Sequence, residues 1–354
     1  MPRIRVLVVE DSVTIREHLM EALSADPEIE VVGQARDGKA AIEICQKLRP
    51  DVMTLDMVLP VLSGLAVTEY VMAYCPTPIL IVSSSTNRGE LYKTYDALAA
   101  GALEVLEKPD GNEGDGAWER VFVSAIKLVS RIKVITHMRG RLPNRSRLPL
   151  DPVVSEPAGA GAYRLAAMGA STGGPAALVT ILRRLPHDFP LPLLVVNHIG
   201  EKFGPLLAEW LDSQSSLRVS SAVDGEPLPE VGHGRVILAP PGCHLVVQRG
   251  RLRLTEEAER HSCRPSVDIL FESVAREIGS RGIACLLTGM GKDGAAGLLA
   301  VRQAGGRTLA QDEATSTIFG MPREAIRMGA AERIVGLDEV APALMALAGG
   351  AALL

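Results

Sequence analysis

Short apolar runs alternate with segments of helical spacing along the chain as far as about Met138. The runs are rich in Val, Ile and Leu and are bounded by polar or turn residues, which predicts buried strands. The segments between them repeat apolar residues every three or four positions, which predicts helices. A last helix is predicted from near Trp118 to about Met138. Five such units predict a doubly wound parallel sheet. The predicted strands are IRVLVV, IEVVGQA, VMTL, PILIVS and LEVLE, and the helices between them are SVTIREHLMEALS, GKAAIEICQKL, GLAVTEYVMAY and ELYKTYDALAA.

The alternation stops at residues 139–162, which are rich in proline and show no sustained period. Such a composition is typical of an interdomain linker. The pattern therefore divides the chain into a first domain at 1–125, a terminal helix extension and linker at 126–162, and a second domain at 163–347.

Apolar runs and helical patterns resume at Tyr163 and predict a second α/β domain. A strand followed by a hairpin that turns at "RGR" interrupts the alternation. We therefore expect a doubly wound, mostly parallel sheet with an antiparallel edge. The predicted strands are YRLAAM, PLLVV, RVILA, HLVVQ, RLRLT, GIACLL and RTLAQ, and the predicted helices are GPAALVTILRRL, FGPLLAEWLDS, SVDILFESVAREI and GAAGLLAVRQA.

Composition excludes several classes of protein. The net charge is -5, no long basic block occurs, and the few aromatic residues do not interleave with basic ones, so no nucleic-acid partner is expected. Five scattered cysteines argue against a disulfide framework and fit a reducing compartment. The N-terminus does not have the pattern of a signal peptide, and the apolar C-terminal run is short and contains Pro342. We expect a soluble cytoplasmic protein without direct membrane insertion.

Polar side chains follow the predicted strands of the first domain. Glu10 and Asp11 follow the first strand, Asp56 the third, Ser83 ends the fourth and Lys108 follows the fifth. The carboxyl ends of parallel strands share one edge of the sheet, where such folds bind ligands. Two carboxylates 4 Å apart repel by about 4 kcal/mol at an effective dielectric constant near 20. A hard divalent cation such as Mg²⁺ relieves that repulsion, and the serine hydroxyl and the lysine are then placed to hold a phosphoryl group on Asp56.

Three strand ends of the second domain carry a serine, a histidine and an acid. Ser171 lies in "GASTGGP", where Gly169 and Gly173 complete the G-x-S-x-G spacing of a nucleophile elbow. His198 and Asp293 follow later strands. The order Ser, His, Asp differs from that of α/β-hydrolases, but the same triad occurs in several orders. Taken alone, "GASTGGP" is equally explained by a glycine-rich turn without chemistry.

The segment "LLTGMGKDGAAG" fits the G-x-G-x-x-G fingerprint of dinucleotide-binding folds, and Asp312 follows it. However, the carboxylate of Asp293 would repel a pyrophosphate, and only a short part of the chain remains after Gly294. We therefore favour an interpretation in which the glycines permit a sharp turn while Asp293 points inward. A nicotinamide-dependent enzyme is the disfavoured alternative.

Cysteine and histidine residues are concentrated in one part of the second domain and suggest zinc ligands. Their spacing is adjacent or two apart, without a C-x₂-C pair, so a metal site is not favoured. The residues are Cys243, His244, His261 and Cys263, with His233 nearby.

The first domain resembles the receiver domain of two-component response regulators over nearly all of residues 1–125. The segments "VVEDS", "LDMVLPVLSG", "IVSSS" and "EKP" carry the resemblance. It implies phosphorylation of Asp56 by a histidine kinase. It further implies Mg²⁺ ligands at Glu10, Asp11 and Asp56, and phosphoryl-sensing residues at Ser83 and Lys108.

Two positions depart from the receiver pattern. Glu10 stands where Asp is more usual, a mild change in ligand length. Val105 stands where many receivers place an aromatic residue, which argues against an aromatic-rotamer switch.

The second domain resembles the catalytic domain of chemotaxis protein-glutamate methylesterases, the CheB family. The segments "GASTGGP", "RPSVDILF", "LLTGMGKDGAAGLLAVRQAGG" and "AQDEATSTIFGMPREAI" carry the resemblance, which extends from residue 163 to about 347. The order receiver, linker, esterase is also that of the family. "VNHIG" departs from the family's usual Gln before, and Met-Pro after, the histidine.

This second resemblance implies a function and a site. The function is phosphorylation-controlled hydrolysis of glutamate γ-methyl esters in the cytoplasmic domains of chemoreceptors, with deamidation of certain glutamines and no cofactor in the esterase. The implied site consists of Ser171 as nucleophile, His198 as general base, Asp293 as orienting acid, the Met290 N–H as oxyanion donor, and Thr172, which shapes the site. Two other hypotheses remain. They are a receiver joined to a non-catalytic binding module and, less favoured because no basic recognition helix is seen, a DNA-binding output.

Overall fold

The computed structural model describes residues 3–84, 87–109, 116–132, 134, 163–232 and 234–349. They form two compact units that divide between residues 134 and 163. The predicted linker at 139–162 lies outside the described residues. The predicted ranges of the first domain (1–125), the extension and linker (126–162) and the second domain (163–347) stay predictions.

The first unit is a five-stranded parallel sheet with strand order β2-β1-β3-β4-β5. The chain starts at β1, adds β2 at the edge beside it, and then crosses to the other side of β1 to add β3, β4 and β5. Open α/β sheets bind ligands at such a point, here between β1 and β3. The strands are β1 (Ile4–Val9), β2 (Ile29–Ala35), β3 (Val52–Leu55), β4 (Ile79–Ser83) and β5 (Glu104–Glu107), and the helices are α1 (Val13–Ser24), α2 (Gly38–Leu48), α3 (Gly64–Tyr74), α4 (Arg88–Ala99) and α5 (Ala117–Val129).

Side-chain caps fix where the helices of this unit begin. Ser12, Asp37 and Ser63 each accept a hydrogen bond from a backbone N–H in the first turn of α1, α2 and α3. The prediction that the last helix reaches Met138 is wrong, because α5 ends at Val129. The amides of Arg131 and Ile132 bond three residues back rather than four, which tightens the turn and ends the helix.

The second unit contains a seven-stranded, wholly parallel sheet with order β14-β13-β12-β6-β7-β9-β8 and a separate antiparallel hairpin of β10 and β11. The fold class is therefore confirmed, with the antiparallel part forming its own two-stranded sheet. The strands are β6 (Leu165–Ala170), β7 (Leu193–Asn197), β8 (Arg218–Ser221), β9 (Arg235–Leu238), β10 (His244–Gln248), β11 (Arg251–Thr255), β12 (Gly282–Leu286), β13 (Arg307–Gln311) and β14 (Arg333–Val335).

Helices separate most of these strands. Their bounds are α6 (Gly174–Leu182), α7 (Leu207–Gln214), α8 (Val267–Glu277), α9 (Ala295–Gln303), α10 (Met321–Arg327) and α11 (Leu337–Ala348), with a 3₁₀ turn at Gly279–Arg281. The pattern of apolar residues does not predict β8, β14 or α10. These elements are only four, three and seven residues long, and the two strands lie at the sheet edges, where one-sided burial leaves little hydrophobic signal.

Strand β6 lies in the middle of the second sheet, and all six of its residues are buried. Its neighbours β7 and β12 leave the sheet at the same edge, and the order reverses between β6 and β12. The residues that follow these three strands therefore meet above one crevice. Within the described residues, none of the helices combines the length and apolarity needed to cross a bilayer.

Candidate active site and acidic site

Three carboxylates meet where β1 and β3 end. Val9 is in register with Leu55, so the residues that follow them, Glu10 and Asp56, leave the sheet side by side. Glu10 is fully buried, Asp56 is 3% exposed and Asp11 is exposed to solvent. One carboxylate oxygen from each residue lies within 4.8 Å of the others. The predicted acidic cluster is thus assembled in the structure.

Lys108 closes this cluster from β5. Its Nζ lies 2.9 Å from Oε1 of Glu10 and 2.9 Å from Oδ2 of Asp56. Its backbone N–H donates to the carbonyl of Ser83 at 3.1 Å, which places the predicted phosphoryl-sensing pair side by side. Ser83 is 1% exposed, and Val105, on β5, is 7% exposed.

The protonation of this cluster reflects burial opposed by the lysine. Burial raises the pKa of Glu10 to about 7, although the hydrogen bond with Lys108 acts in the opposite direction. Burial likewise raises the pKa of Asp56, against the charge of Lys108. Burial lowers the pKa of Lys108, but the hydrogen bond with Glu10 and the charge of Asp56 outweigh it and raise the pKa overall.

These residues fit a hard divalent cation. Three carboxylates supply the oxygen ligands that Mg²⁺ takes, and one of them is exposed, which leaves room for water ligands. Oε2 of Glu10 is buried and lies 2.8 Å from Nζ of Lys108. The two atoms form an ion pair, but Oε2 accepts no hydrogen bond from the described residues. This oxygen is therefore available to a metal.

Ser171 stands between β6 and α6, at the crevice of the second sheet. Its N–H donates to the carbonyl of Thr288 at 3.0 Å, and its carbonyl accepts from Gly174 N at 2.6 Å. The turn needs glycines, since Gly173 has φ +79° and a Cβ on Gly289 would lie 2.8 Å from the Ser171 Cβ. The nucleophile elbow predicted from "GASTGGP" is thus a tight strand-to-helix turn.

His198 and Asp293 form a direct pair. The His198 N–H donates to the carbonyl of Ala170 at 3.0 Å, which places the histidine next to Ser171 along the sheet edge. Nε2 of His198 lies 2.9 Å from Oδ2 of Asp293. An ionised carboxylate accepts only, so Nε2 carries a proton, and in the neutral imidazole Nδ1 is the nitrogen left to act as a base.

Asp293 is held by donors that sequence analysis did not identify. Its Oδ1 accepts from Ser266 Oγ at 2.7 Å and from Asp268 N at 3.1 Å, and its Oδ2 accepts from Val267 N at 2.7 Å. The carboxylate therefore caps the first turn of α8, where the helix dipole favours a negative charge. The signal was present in "RPSVD", because a serine before an apolar helical run marks a helix N-cap.

The other imidazole nitrogen faces a cysteine. Nδ1 of His198 lies 3.7 Å from Sγ of Cys263, and among the described residues Ser171 Oγ makes no hydrogen bond. The structure thus brings Ser171, His198 and Asp293 to one crevice but joins only His198 and Asp293. Catalytic hydrogen bonds are often long or unformed before substrate binds.

The contact between His198 and Asp293 raises the pKa of the histidine and lowers that of the aspartate. Burial lowers the pKa of His198, but hydrogen bonds to Asp293 and Cys263 outweigh it and raise the pKa to about 9. Burial raises the pKa of Asp293, but the hydrogen bond and charge of His198 outweigh it and hold the pKa below its usual range. The aspartate is therefore ionised at neutral pH, and much of the imidazole is protonated.

The loop after β12 lies against the Ser171 turn. Gly289 packs against Ser171, and the next residue, Met290, has a backbone N–H that donates to no acceptor among the described residues. Thr172 is 6% exposed, and its carbonyl accepts from Thr288 Oγ1 at 3.0 Å, which fixes the turn around Ser171. The roles of Met290 as oxyanion donor and of Thr172 in shaping the site stay predictions.

A cavity of about 560 Å³ opens beside Asp293. Its wall contains the loop after β12 and the turn before α8, and the Met290 side chain is 55% exposed there. The lining residues are His261, Ser262, Cys263, Met290, Gly291, Lys292, Asp293 and Glu324.

Four residues were considered as zinc ligands, and within the described residues their ligand atoms do not form one group: Cys243, His244, His261 and Cys263. His233 lies outside the described residues. His244 is buried and bonds to Ser266 N and the Ala258 carbonyl, which is a structural role. Ligand atoms of His198, Cys263 and Asp293 lie within 4.8 Å of one another. Because both oxygens of Asp293 already accept hydrogen bonds, the geometry favours a hydrogen-bonded relay at this point.

Known protein families match both units of the chain. The family model for CheB methylesterase matches residues 166–344, and the model for the response regulator receiver domain matches residues 6–114. A protein-glutamate methylesterase/protein-glutamine glutaminase from Anaeromyxobacter dehalogenans strain 2CP-C is 43% identical to this chain over 97% of each. The chain belongs to the CheB methylesterase family. Membership makes it a carboxyl-ester hydrolase with an N-terminal receiver domain.

Other relatives extend the comparison. A protein-glutamate methylesterase/protein-glutamine glutaminase from Nitrosospira multiformis is 43% identical over 96% of each chain. The crystal structure of the Thermotoga maritima CheB methylesterase catalytic domain matches with a TM-score of 0.50 and 37% identity, covering 52% of this chain and 98% of that one. The loop "LLTGMGKDGAAG" lies inside the methylesterase match, in line with the sequence analysis, which disfavoured a nicotinamide-dependent enzyme.

Gly169 offers a test of how closely the active-site turn packs on α8. A Cβ at this position would lie 2.1 Å from Cγ1 of Val267, whose N–H holds Asp293. We expect Gly169→Ala to lower the free energy of unfolding by about 1–3 kcal/mol, as overpacking in cores does. Chemical denaturation would measure it, with Gly200→Ala as control because a Cβ there meets its nearest neighbour at an ordinary 3.5 Å. Equal stability of the two variants would contradict the packing argument.

Proposed function

We propose that this CheB-family esterase hydrolyses glutamate γ-methyl esters in chemoreceptor cytoplasmic domains, and deamidates glutamines there, with Ser171, His198 and Asp293 as its catalytic residues. We further propose that phosphorylation of Asp56 by a histidine kinase raises this activity. The domains would be a receiver at 1–125, a helix extension and linker at 126–162 and the esterase at 163–347. The observation that carries the proposal is the His198–Asp293 pair, in which Asp293 engages Nε2 while the His198 backbone bonds to Ala170, the residue before Ser171.

In the proposed mechanism the serine acts first. Ser171 Oγ attacks the γ-carbonyl carbon while its proton passes to Nδ1 of His198. Asp293 holds Nε2–H and stabilises the imidazolium that forms. The Met290 N–H donates to the oxyanion, and Thr172 keeps the turn in place.

The leaving group then takes the proton back. His198 donates it to the methoxy oxygen, methanol departs, and a glutamyl ester of Ser171 remains. A water molecule gives its proton to His198 and attacks the ester, which releases glutamate and restores the serine. With glutamine as substrate, the same route releases ammonia in place of methanol.

The receiver would control this chemistry through charge. Asp56 would accept the phosphoryl group, Glu10 and Asp11 together with Asp56 would hold Mg²⁺, and Ser83 and Lys108 would contact the phosphoryl oxygens. Bound Mg²⁺ would offset the negative charge gathered around Asp56. Phosphorylation adds about −1.5 to −2 charges and so changes which partner Lys108 prefers.

Methanol release from methylated receptor membranes tests the proposal. We expect release by the full-length protein, with a higher rate when a small phosphodonor and Mg²⁺ are added. Release without a phosphodonor response would retain the esterase and remove the switch. A folded protein that releases no methanol from any receptor tested would favour the non-catalytic binding module instead.

Asp56→Asn should remove the response to phosphodonor while leaving basal methanol release in place, because the amide cannot be phosphorylated. The rate with and without phosphodonor would be compared for each variant. Asp51→Asn is the matched control, since Asp51 is an exposed carboxylate whose Oδ2 accepts from Arg5 N, outside the acidic cluster. A phosphodonor response that survives in Asp56→Asn would place the phosphorylation site elsewhere.

Esterase activity should rise with pH until about pH 9. The base must be neutral, and the pKa of His198 is raised to about 9, so its neutral fraction falls about tenfold for each pH unit below that value. The measurement is kcat/KM for an ester substrate from pH 6 to 10, with Ser171→Ala subtracted for uncatalysed hydrolysis. A plateau already reached at pH 7 would show that the free enzyme holds His198 neutral.

A further inference from the structure

Cys263 lies beside the catalytic base on a strained turn. Its Sγ is 3.7 Å from Nδ1 of His198. The two residues before it, His261 and Ser262, have φ values of 56° and 58°, which non-glycine residues rarely adopt. Mutual backbone hydrogen bonds between Arg260 and Cys263, at 3.2 and 3.0 Å, close the turn.

Side-chain contacts with Asp268 also hold the turn in place. Nε2 of His261 lies 3.1 Å from Oδ2 of the buried Asp268, and the Arg260 guanidinium lies 3.7 Å from the same oxygen. Asp268 in turn donates its N–H to Asp293. The strain is therefore maintained by the network that holds the catalytic acid, and its result is to present the thiol to the imidazole.

We propose that Cys263 is a reactive thiol, activated by His198, which hydroperoxides and other thiol-directed electrophiles modify and whose modification switches the esterase off. The second part rests on the proposed function of His198 as the base. A partly exposed cysteine next to a histidine is a common environment of a reactive thiol. Cys263 lines the open cavity of about 560 Å³ and is partly exposed, which gives a reagent access to it.

The other cysteines lack this environment. Cys45, Cys75 and Cys285 are buried. Cys243 has an intermediate exposure like that of Cys263, but it makes no hydrogen bond or ion pair within the described residues. Cys243 is therefore a matched internal control.

The oxidation is a two-electron step. The sulfur of Cys263 attacks one oxygen of a hydroperoxide as its thiol proton passes to Nδ1 of His198, an S–O bond forms and the O–O bond breaks. The leaving oxyanion takes the proton from the His198 imidazolium and departs as an alcohol, or as water if the oxidant is hydrogen peroxide. Sulfur is oxidised to sulfenic acid and the hydroperoxide is reduced.

Modification would disable the base directly. The gap between Sγ and Nδ1 is 3.7 Å, and an added oxygen or a larger adduct would occupy it. A sulfenic hydroxyl would donate to Nδ1, the nitrogen that must take the proton from Ser171. Reduction by a thiol returns the sulfur to its original state, so the block is reversible.

Alkylation rates test the reactive thiol without any ester substrate. The folded full-length protein is treated with iodoacetamide at pH 7, quenched at intervals and mapped by peptide mass spectrometry. We expect Cys263 to react about tenfold or more faster than Cys243, and His198→Gln to remove most of that advantage. Equal rates for the two cysteines in the unsubstituted protein would overturn the proposal, whether or not the variant folds. Retained fast labelling in a folded His198→Gln variant would overturn the role of the histidine.

Peroxide treatment tests the switch. Hydrogen peroxide should form a dimedone-trapped sulfenic acid at Cys263, with loss of esterase activity that dithiothreitol restores. Each variant is compared with its own untreated rate. After peroxide treatment, Cys263→Ser should keep most of the esterase rate that it has without peroxide. Cys243→Ser should be inactivated by peroxide as the unsubstituted protein is. Oxidation of Cys263 without loss of activity would overturn the switch. Absence of esterase activity before treatment would instead refute the proposed function, while the alkylation rates still decide on the thiol.

Discussion

Ser171→Ala should lower kcat/KM for ester hydrolysis by about a thousandfold or more, because it removes the only atom proposed to bond to the substrate carbonyl. The turn that holds the residue should survive, since its contacts to Thr288 and Gly174 are made by the backbone. The small rate that remains would come from the oxyanion donor and from substrate binding.

The measurement is initial-rate methanol release together with labelling by a fluorophosphonate. The label should appear on Ser171 in the unsubstituted protein and nowhere in Ser171→Ala. Ser213→Ala serves as control, because Ser213 lies on α7 and its hydroxyl donates to the Trp210 carbonyl, away from the site. If Ser171→Ala stayed within tenfold of the unsubstituted rate, the covalent mechanism would be refuted.

Asp293→Asn should lower kcat/KM by about a thousandfold to ten-thousandfold, as loss of the orienting acid does in other triads. Asp293 Oδ2 accepts from both Val267 N and His198 Nε2, and an amide nitrogen in its place would face two donors. Rotating the amide, or moving the imidazole proton from Nε2 to Nδ1, removes one of these donor–donor contacts. With the proton on Nδ1, however, that nitrogen has no lone pair to accept the Ser171 proton in the proposed mechanism.

The matched control is Asp268→Asn. Asp268 is a second buried carboxylate; its Oδ1 accepts from Gly297 N at 2.6 Å, and its side chain does not contact His198. We expect its loss of kcat/KM to be below about tenfold, because the orientation of the base does not depend on it directly. Chemical denaturation of both variants separates loss of folding from loss of chemistry. Equal losses in two folded proteins would assign Asp293 a structural role only.

The sequence predicted most of the fold because its central strands are buried on both faces. Strands such as β1 and β6 are continuous apolar runs, and glycine or helix-cap residues mark where they end. The predictions are wrong for elements that are buried on one face only or that are short. Strand β14 has three residues at a sheet edge, and the apolar pattern after Val129 continues although the helix has ended.

The residues at strand ends were also predictable. Glu10, Asp56, Ser171, His198 and Asp293 each follow an apolar strand, and parallel topology brings such positions to one edge. Ser266 was recoverable from its N-cap pattern but was not identified as a partner of Asp293. No spacing rule marks Cys263, because the contact with His198 joins residues 65 positions apart.

The sequence by itself therefore determined the two α/β units, the acidic cluster and the three candidate catalytic residues. These follow from local periodicity and from residue types at strand ends. Only the tertiary structure decided that Nε2 of His198 faces Asp293 while Nδ1 faces Cys263. That choice depends on how the turn before α8 packs against the loops after β7 and β12, and distances between side chains on separate loops are set by packing, which no local pattern records.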